Sequence, residues 1–173
     1  MKKFSLKEKA SFGLGAVGKD MVYALSSSYV MYYYQDILGL QATFVGLILM
    51  IARVFDAVND PFMGVLVAKT NTKYGKFRPW ILSGTVLNAF VLYALFSAPD
   101  LSKTGLMVYF AIIYILWGIT YTMMDIPYWS VIPNLTSDPQ EREKVSVLPR
   151  IFASIGQSLI IAGFGVQIIK GLG

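Results

Sequence analysis

Residues 105–124 read GLMVYFAIIYILWGITYTMM, twenty in a row without a charged side chain. A bilayer core about 30 Å thick needs roughly 20 mostly apolar residues to be crossed by a helix, so this stretch is long enough by itself. Working outward, Pro79 to Pro99 forms a second uncharged run, and three further apolar segments are interrupted by ionisable residues. The expected helices lie near 11–39, 43–68, 79–99, 105–135 and 148–170. Composition agrees: 55% of the 173 residues are hydrophobic and 14% charged, and mean hydropathy is +0.57, well outside the range of soluble domains. The expected fold is all-α and membrane-embedded, with about five transmembrane helices. With neither Cys nor His, thiolate chemistry, disulfides and imidazole acid–base work are excluded.

The net charge of +5 does not point to nucleic acid, because the basic residues sit between long apolar stretches rather than on a soluble basic face. They follow the positive-inside rule instead. Lys2, Lys3, Lys7 and Lys9 precede the first segment, Lys69, Lys73, Lys76 and Arg78 lie between the second and third, and Arg142 and Lys144 between the fourth and fifth, whereas the opposite loops hold only Lys103. The N-terminus is expected in the cytoplasm, in a multi-pass protein of the cell (inner) membrane. Tyr32, Tyr33 and Tyr34 then fall at the outer interface, and Tyr74 and Trp80 at the inner one. An odd number of spans ending at Gly173 without a polar tail reads as the N-terminal part of something larger.

Seven of the ionisable residues inside the spans stand out: Lys19, Asp20, Arg53, Asp56, Asp60, Asp125 and Arg150. Facing lipid, at roughly 2.5–3.5 kcal/mol each, they would cost on the order of 20 kcal/mol, more than a typical domain's whole stability of about 5–15 kcal/mol. They must face one another or a watered cavity. Depth favours a shared site, because Asp20, Asp60 and Asp125 all lie about ten residues, hence roughly 14 Å, from the inner boundary. At 100° per residue, Arg53, Asp56 and Asp60 fall within about 60° of one another, with Asn59 beside them and Pro61 able to free a backbone carbonyl one turn earlier. On the fourth helix Trp117, Tyr121, Asp125 and Tyr128 share a face about 80° wide, with Trp129 at its margin. A carboxylate among aromatic rings suits a sugar, whose hydroxyls take hydrogen bonds while its C–H face lies on a ring. Clustered carboxylates and carbonyls suit hard cations. Four acids against three bases leave one negative charge, which a single Na⁺, Li⁺ or H⁺ would neutralise.

Two motifs are decoys. Gly13-Leu14-Gly15-Ala16-Val17-Gly18 spells GxGxxG, but a dinucleotide site needs a preceding strand and a βαβ unit; these glycines are expected to let another helix approach. Asp56 and Asp60 also match half of the metal motif of membrane phosphotransferases, whose further upstream Asp pair is absent from this chain.

Gly18-Lys19-Asp20, Tyr32-Tyr33-Tyr34, Ala52-Arg53, Asp56-Ala57-Val58-Asn59-Asp60-Pro61, Tyr74-Gly75-Lys76-Phe77-Arg78-Pro79-Trp80, Met124-Asp125-Ile126-Pro127-Tyr128-Trp129-Ser130 and Pro149-Arg150-Ile151-Phe152 together resemble the glycoside–pentoside–hexuronide:cation symporters of the major facilitator superfamily. The resemblance runs through nearly the whole chain. It implies a two-bundle transporter of six helices each, of which this chain carries the incomplete N-terminal bundle without the C-terminal one, and sugar:cation symport of a glycoside with Na⁺, Li⁺ or H⁺ by alternating access. It implies no enzyme activity and no cofactor beyond the coupling cation. It further implies a cation site of Asp56, Asn59, Asp60 and Thr122, and sugar contacts from Lys19, Asp20, Tyr121, Asp125, Trp129 and Arg150, with Arg53, Trp117 and Tyr128 in support and a gating loop around Arg142 and Glu143. Ser26-Ser27-Ser28 stands where relatives carry larger side chains, which implies a wider or differently tuned pocket. Two other readings remain at this stage: a truncated membrane protein that transports nothing, and a metal-dependent membrane phosphotransferase.

Overall fold

A computed structural model describes residues 6–135 and 139–164. Among the described residues the chain is all-α: α1 Leu6–Tyr32, α2 Ala42–Lys69, α3 Arg78–Leu95, α4 Lys103–Leu135 and α5 Pro139–Leu159, with π-helical turns at Tyr33–Ile37 and Ile160–Phe164. Among the described residues, two helical stretches, Ala42–Lys69 and Lys103–Ile132, are long and apolar enough to cross a membrane.

Two boundaries differ from the hydropathy reading for a physical reason. The apolar run through Pro99 is helical only to Leu95, and Phe96 and Ser97 close it with N–H bonds to Leu92 and Ala94 carbonyls at 3.3 Å each. An 18-residue helix is about 27 Å long, slightly less than the hydrocarbon core. The fifth helix begins at Pro139 rather than near 148, so Arg142 and Glu143 stand in a helix and not in a loop. Proline's fixed φ suits a first helical position, and the Gln-Glu-Arg-Glu-Lys run that follows consists of good helix formers. Polarity limits immersion in lipid, not helicity.

The described residues fall into two compact units, one reaching Tyr29 and resuming at Ile132, the other Val30–Val131. In the first, α1 and α5 run parallel. A Cβ on Gly13 would lie 2.6 Å from the Phe152 ring, one on Gly156 would lie 2.9 Å from the Val17 carbonyl, and the Tyr29 hydroxyl donates to the Ile161 carbonyl at 3.2 Å. Gly13 thus lets a second helix approach, as expected of the small residues in that segment, while Gly18 faces open space.

In the second unit α3 and α4 are antiparallel, with Gly84 against Met123 and Met124 and Asn88 against Trp117 and Thr120. The buried side of α3 is a narrow stripe of Gly84, Asn88 and Leu95, while Leu82, Val86, Phe90 and Tyr93 are exposed. At the end of α3, Tyr34 and Tyr109 donate their hydroxyls to the Leu95 and Ala94 carbonyls at 2.8 and 2.7 Å, and the Ala98 N–H donates to the Tyr33 hydroxyl at 3.3 Å. These tyrosines supply partners for a helix end that hydrocarbon cannot solvate. Between α2 and α3, the Trp80 indole N–H donates to Thr70 Oγ1 at 2.8 Å, and a turn at Thr72–Gly75 closes with Gly75 at φ +94°.

Helix α2 is inside-out by the standards of a soluble helix. Leu47, Met50, Ile51, Val54, Val58 and Val65 are exposed; at 100° per residue they form one stripe nearly opposite that of Arg53, Asp56 and Asp60. Apolar side chains facing out and charges facing a neighbouring helix are what a lipid solvent demands. Gly84→Ala should destabilise the second unit by about 1–3 kcal/mol, because its Cβ would meet Met124 N at 2.8 Å and the backbone cannot yield cheaply. Thermal unfolding in detergent checks this, and an unchanged midpoint would show that the helices separate without strain.

Candidate functional site

The carboxylates of α2 meet α4 on two successive turns. Thr122 Oγ1 donates to Asp60 Oδ1 at 3.2 Å, and one turn back a Cβ on Gly118 would lie 3.0 Å from Asp56 Oδ1. The pairs 56/118 and 60/122 advance together, so α2 and α4 are parallel here. A hydroxyl on one rung and a bare Cα on the other leave the two carboxylates close to α4 without a bulky side chain between. Arg53 lies one turn before Asp56, with Nη1 3.8 Å from Oδ2, and its own side chain is about half exposed. The amide nitrogen of Asn59 is buried and has no hydrogen-bond partner among the described residues; its carbonyl oxygen is the kind of ligand that hard cations take. Pro61 stands inside α2 and, lacking an N–H, leaves the carbonyl of Ala57 outside the helical ladder. Carboxylates, a hydroxyl and a spare backbone carbonyl on neighbouring turns are the kinds of oxygen that a small cation takes.

On α4 the aromatic face is realised and extended. Trp117 and Tyr121 are stacked at 5.5 Å and 23°. The Trp129 indole N–H donates to Asp125 Oδ1 at 3.1 Å, and Trp129 meets Tyr128 edge-on at 5.4 Å. Asp125 is therefore held by its own aromatic neighbour one turn away, with Tyr121, Asp125 and Trp129 half-buried and Trp117 and Tyr128 buried. The stack continues toward the start of α4 through Tyr114, Phe110 and the buried Tyr34, at centroid distances of 5.6, 5.6 and 4.1 Å.

The other sequence-selected residues lie in the first unit. Lys19 and Asp20 are both buried and form an ion pair at 3.6 Å. Arg150 is exposed on α5, and so is Glu143. The structure thus brings Asp56, Asp60 and Thr122 together, with Asn59 beside them, and assembles Trp117, Tyr121, Asp125, Tyr128 and Trp129 along one helix; Lys19, Asp20 and Arg150 belong to the other compact unit.

Sequence reasoning passed over four residues. Gly118 carries no chemistry of its own, and only its contact with Asp56 reveals its part. Phe110 and Tyr114 continue the three-and-four spacing of Trp117 and Tyr121, a signal that was present. Asn88 is the lone carboxamide of α3, a polar group in a segment read only as apolar. Gly118→Ala should push the Asp56 carboxylate aside and weaken cation binding about five- to thirtyfold, equivalent to roughly 1–2 kcal/mol. Calorimetric cation titration of the variant tests this, and wild-type affinity would mean that Asp56 accommodates a methyl group freely.

Comparison with known proteins follows the same direction. A family model described as MFS/sugar transport protein matches residues 11–171. The inner membrane symporter YicJ of Escherichia coli strain K12 is 38% identical over 155 residues, covering 90% of this chain and 34% of YicJ. The putative glycoside/cation symporter YagG of the same strain is 34% identical over 173 residues, covering 100% of this chain and 37% of YagG. The raffinose carrier protein of Pediococcus pentosaceus is 33% identical over 162 residues, covering 86% of this chain and 25% of that carrier. The chain spans a quarter to about a third of the length of these curated relatives.

Proposed function

The chain belongs to the MFS/sugar transport protein family, and from that premise we propose that it forms the N-terminal helices of a secondary transporter coupling movement of a glycoside to a Na⁺, Li⁺ or H⁺ gradient. The observation that carries this reading is the double rung between α2 and α4, where Asp56 and Asp60 turn toward Gly118 and Thr122, away from the exposed apolar stripe of α2. Charges so placed serve a membrane protein only if something compensates them. Membership in a family of transport proteins goes against the phosphotransferase alternative, and the names of its relatives, symporters and a raffinose carrier, support a sugar as substrate.

In this reading Asp56, Asn59, Asp60 and Thr122 bind the cation. Tyr121, Asp125 and Trp129 receive the sugar, with the ring of Trp129 fixed by its bond to Asp125, and Lys19, Asp20 and Arg150 add polar contacts. Arg53, Trp117 and Tyr128 support the two sets. Both sets share α4, so a cation that draws Asp56 and Asp60 toward a common ligand also orders the helix that presents Asp125. Linkage then requires that the sugar raise cation affinity by the same factor. Alternating access moves the occupied site from one side of the inner membrane to the other, against a second bundle contributed by the remainder of the transporter. With the N-terminus cytoplasmic, the helical start of α5 carrying Arg142 and Glu143 lies at the inner gate. One charge moving through 100 mV provides about 2.3 kcal/mol, enough for roughly 50-fold accumulation.

Two substitutions in the complete transporter test the assignments. Asp56→Cys should abolish cation stimulation of sugar binding, and retained stimulation would remove Asp56 from the cation site. Asp125→Ala should lower sugar affinity at saturating cation by at least about tenfold, as expected when a charge-assisted hydrogen bond is lost. An unchanged value would place the sugar elsewhere.

A further inference from the structure

Asn88 is 2% exposed in the middle of α3, on a helix that contributes no residue to either binding set. Its Nδ2 donates to the Trp117 carbonyl at 3.2 Å and to Thr120 Oγ1 at 2.9 Å, so both amide hydrogens end on one turn of α4. Thr120 Oγ1 in turn lies 3.0 Å from the Leu116 carbonyl and 3.1 Å from that of Trp117. Back-bonding of this kind loosens the helical ladder and bends it. The turn so treated runs from Leu116 to Thr120 and includes Gly118, the residue against which Asp56 packs.

Helical geometry separates the roles of α4 by face. At 100° per residue, Trp117, Thr120 and Met124 form the stripe that meets Asn88 and Gly84 of α3. Gly118 and Thr122, which meet Asp56 and Asp60, lie roughly 150° around the helix, and Tyr121 and Asp125 lie between the two stripes. Helix α4 is therefore held from one side by α3 while its other side bounds the carboxylates of α2. Gly84 holds by backbone contact, which restrains only approach; Asn88 holds by hydrogen bonds, which restrain separation as well.

We infer that Asn88 is a positioning residue for cation binding, fixing through Thr120 and the Trp117 carbonyl the turn of α4 that sets the space around Asp56 and Asp60. The inference rests on the symport reading above. Ion–oxygen distances tolerate shifts of only about 0.2 Å, so a turn freed from its tether degrades the cation site first. The sugar set is less exposed to the change, because Asp125 is held separately by Trp129.

The test uses the complete transporter, purified, with sugar binding measured over titrations of Na⁺, Li⁺ and pH. Asn88→Ala and Thr120→Val remove the tether from opposite ends. Each should raise the half-saturating cation concentration about three- to tenfold, the equivalent of one lost hydrogen bond, while sugar affinity at saturating cation stays within about twofold. The double variant should be no worse than the more severe single one, because both break the same link. Unchanged half-saturation in both single variants, in a parent with cation-stimulated binding, would overturn the inference alone. So would parallel losses of cation affinity, sugar affinity and thermal stability, the pattern of a residue that merely packs. A parent whose sugar binding responds to none of the three cations would overturn the symport reading itself, and this inference with it.

Discussion

A carboxylate can enter the hydrocarbon core only if another group in the protein, or an ion, answers its charge, and the arrangement of α2 follows from that constraint. Its exposed stripe is wholly apolar, from Leu47 to Val65, and its acids lie nearly opposite. Neither side would be stable if the helix were turned about its axis. The rotation of α2 is fixed by solvent on one side and by α4 on the other. Because α4 offers Asp60 a hydroxyl and Asp56 only the bare backbone of Gly118, the neighbour locates the charges without neutralising them. Arg53 lies 3.8 Å from Asp56, and the proposed mechanism assigns the remaining compensation to the coupling cation.

Helix α4 joins the two halves of the proposed mechanism. Its faces carry, in rotation, the contact with α3, the aromatic and carboxylate set, and the contact with the acids of α2. A helix is stiff over the single turn that separates Thr122 from Asp125, so ordering of the cation rung is transmitted to the sugar face without a long chain of contacts. The aromatic stack running from Tyr34 to Tyr121 adds rigidity along the same helix, and the tyrosine bonds at the end of α3 anchor its far end.

Much of this was legible in the sequence because membrane insertion makes charge expensive. Asp56, Asp60 and Asp125 stand out by cost, and their helical phase aligns them before any contact is known. What escaped reading carries no such penalty. Gly118 is apolar and small, and its importance lies in what it leaves open. Asn88 is neutral and sits in a run long enough to pass as wholly apolar. Helix ends were misjudged where hydropathy and helicity part company: Pro139 starts a polar helix, and the apolar residues after Leu95 form a turn. The Lys19–Asp20 pair was legible as two charges but not as an ion pair, because adjacent residues on a helix do not ordinarily face each other.

In the proposed mechanism the cation and sugar sites are energetically coupled through α4. The most direct measurement is a reciprocal pair of titrations on the complete transporter: sugar affinity as a function of cation, and cation affinity as a function of sugar. Coupling through a shared helix predicts that both affinities rise, and by the same factor. Sugar affinity indifferent to the cation across its whole binding range would contradict that coupling.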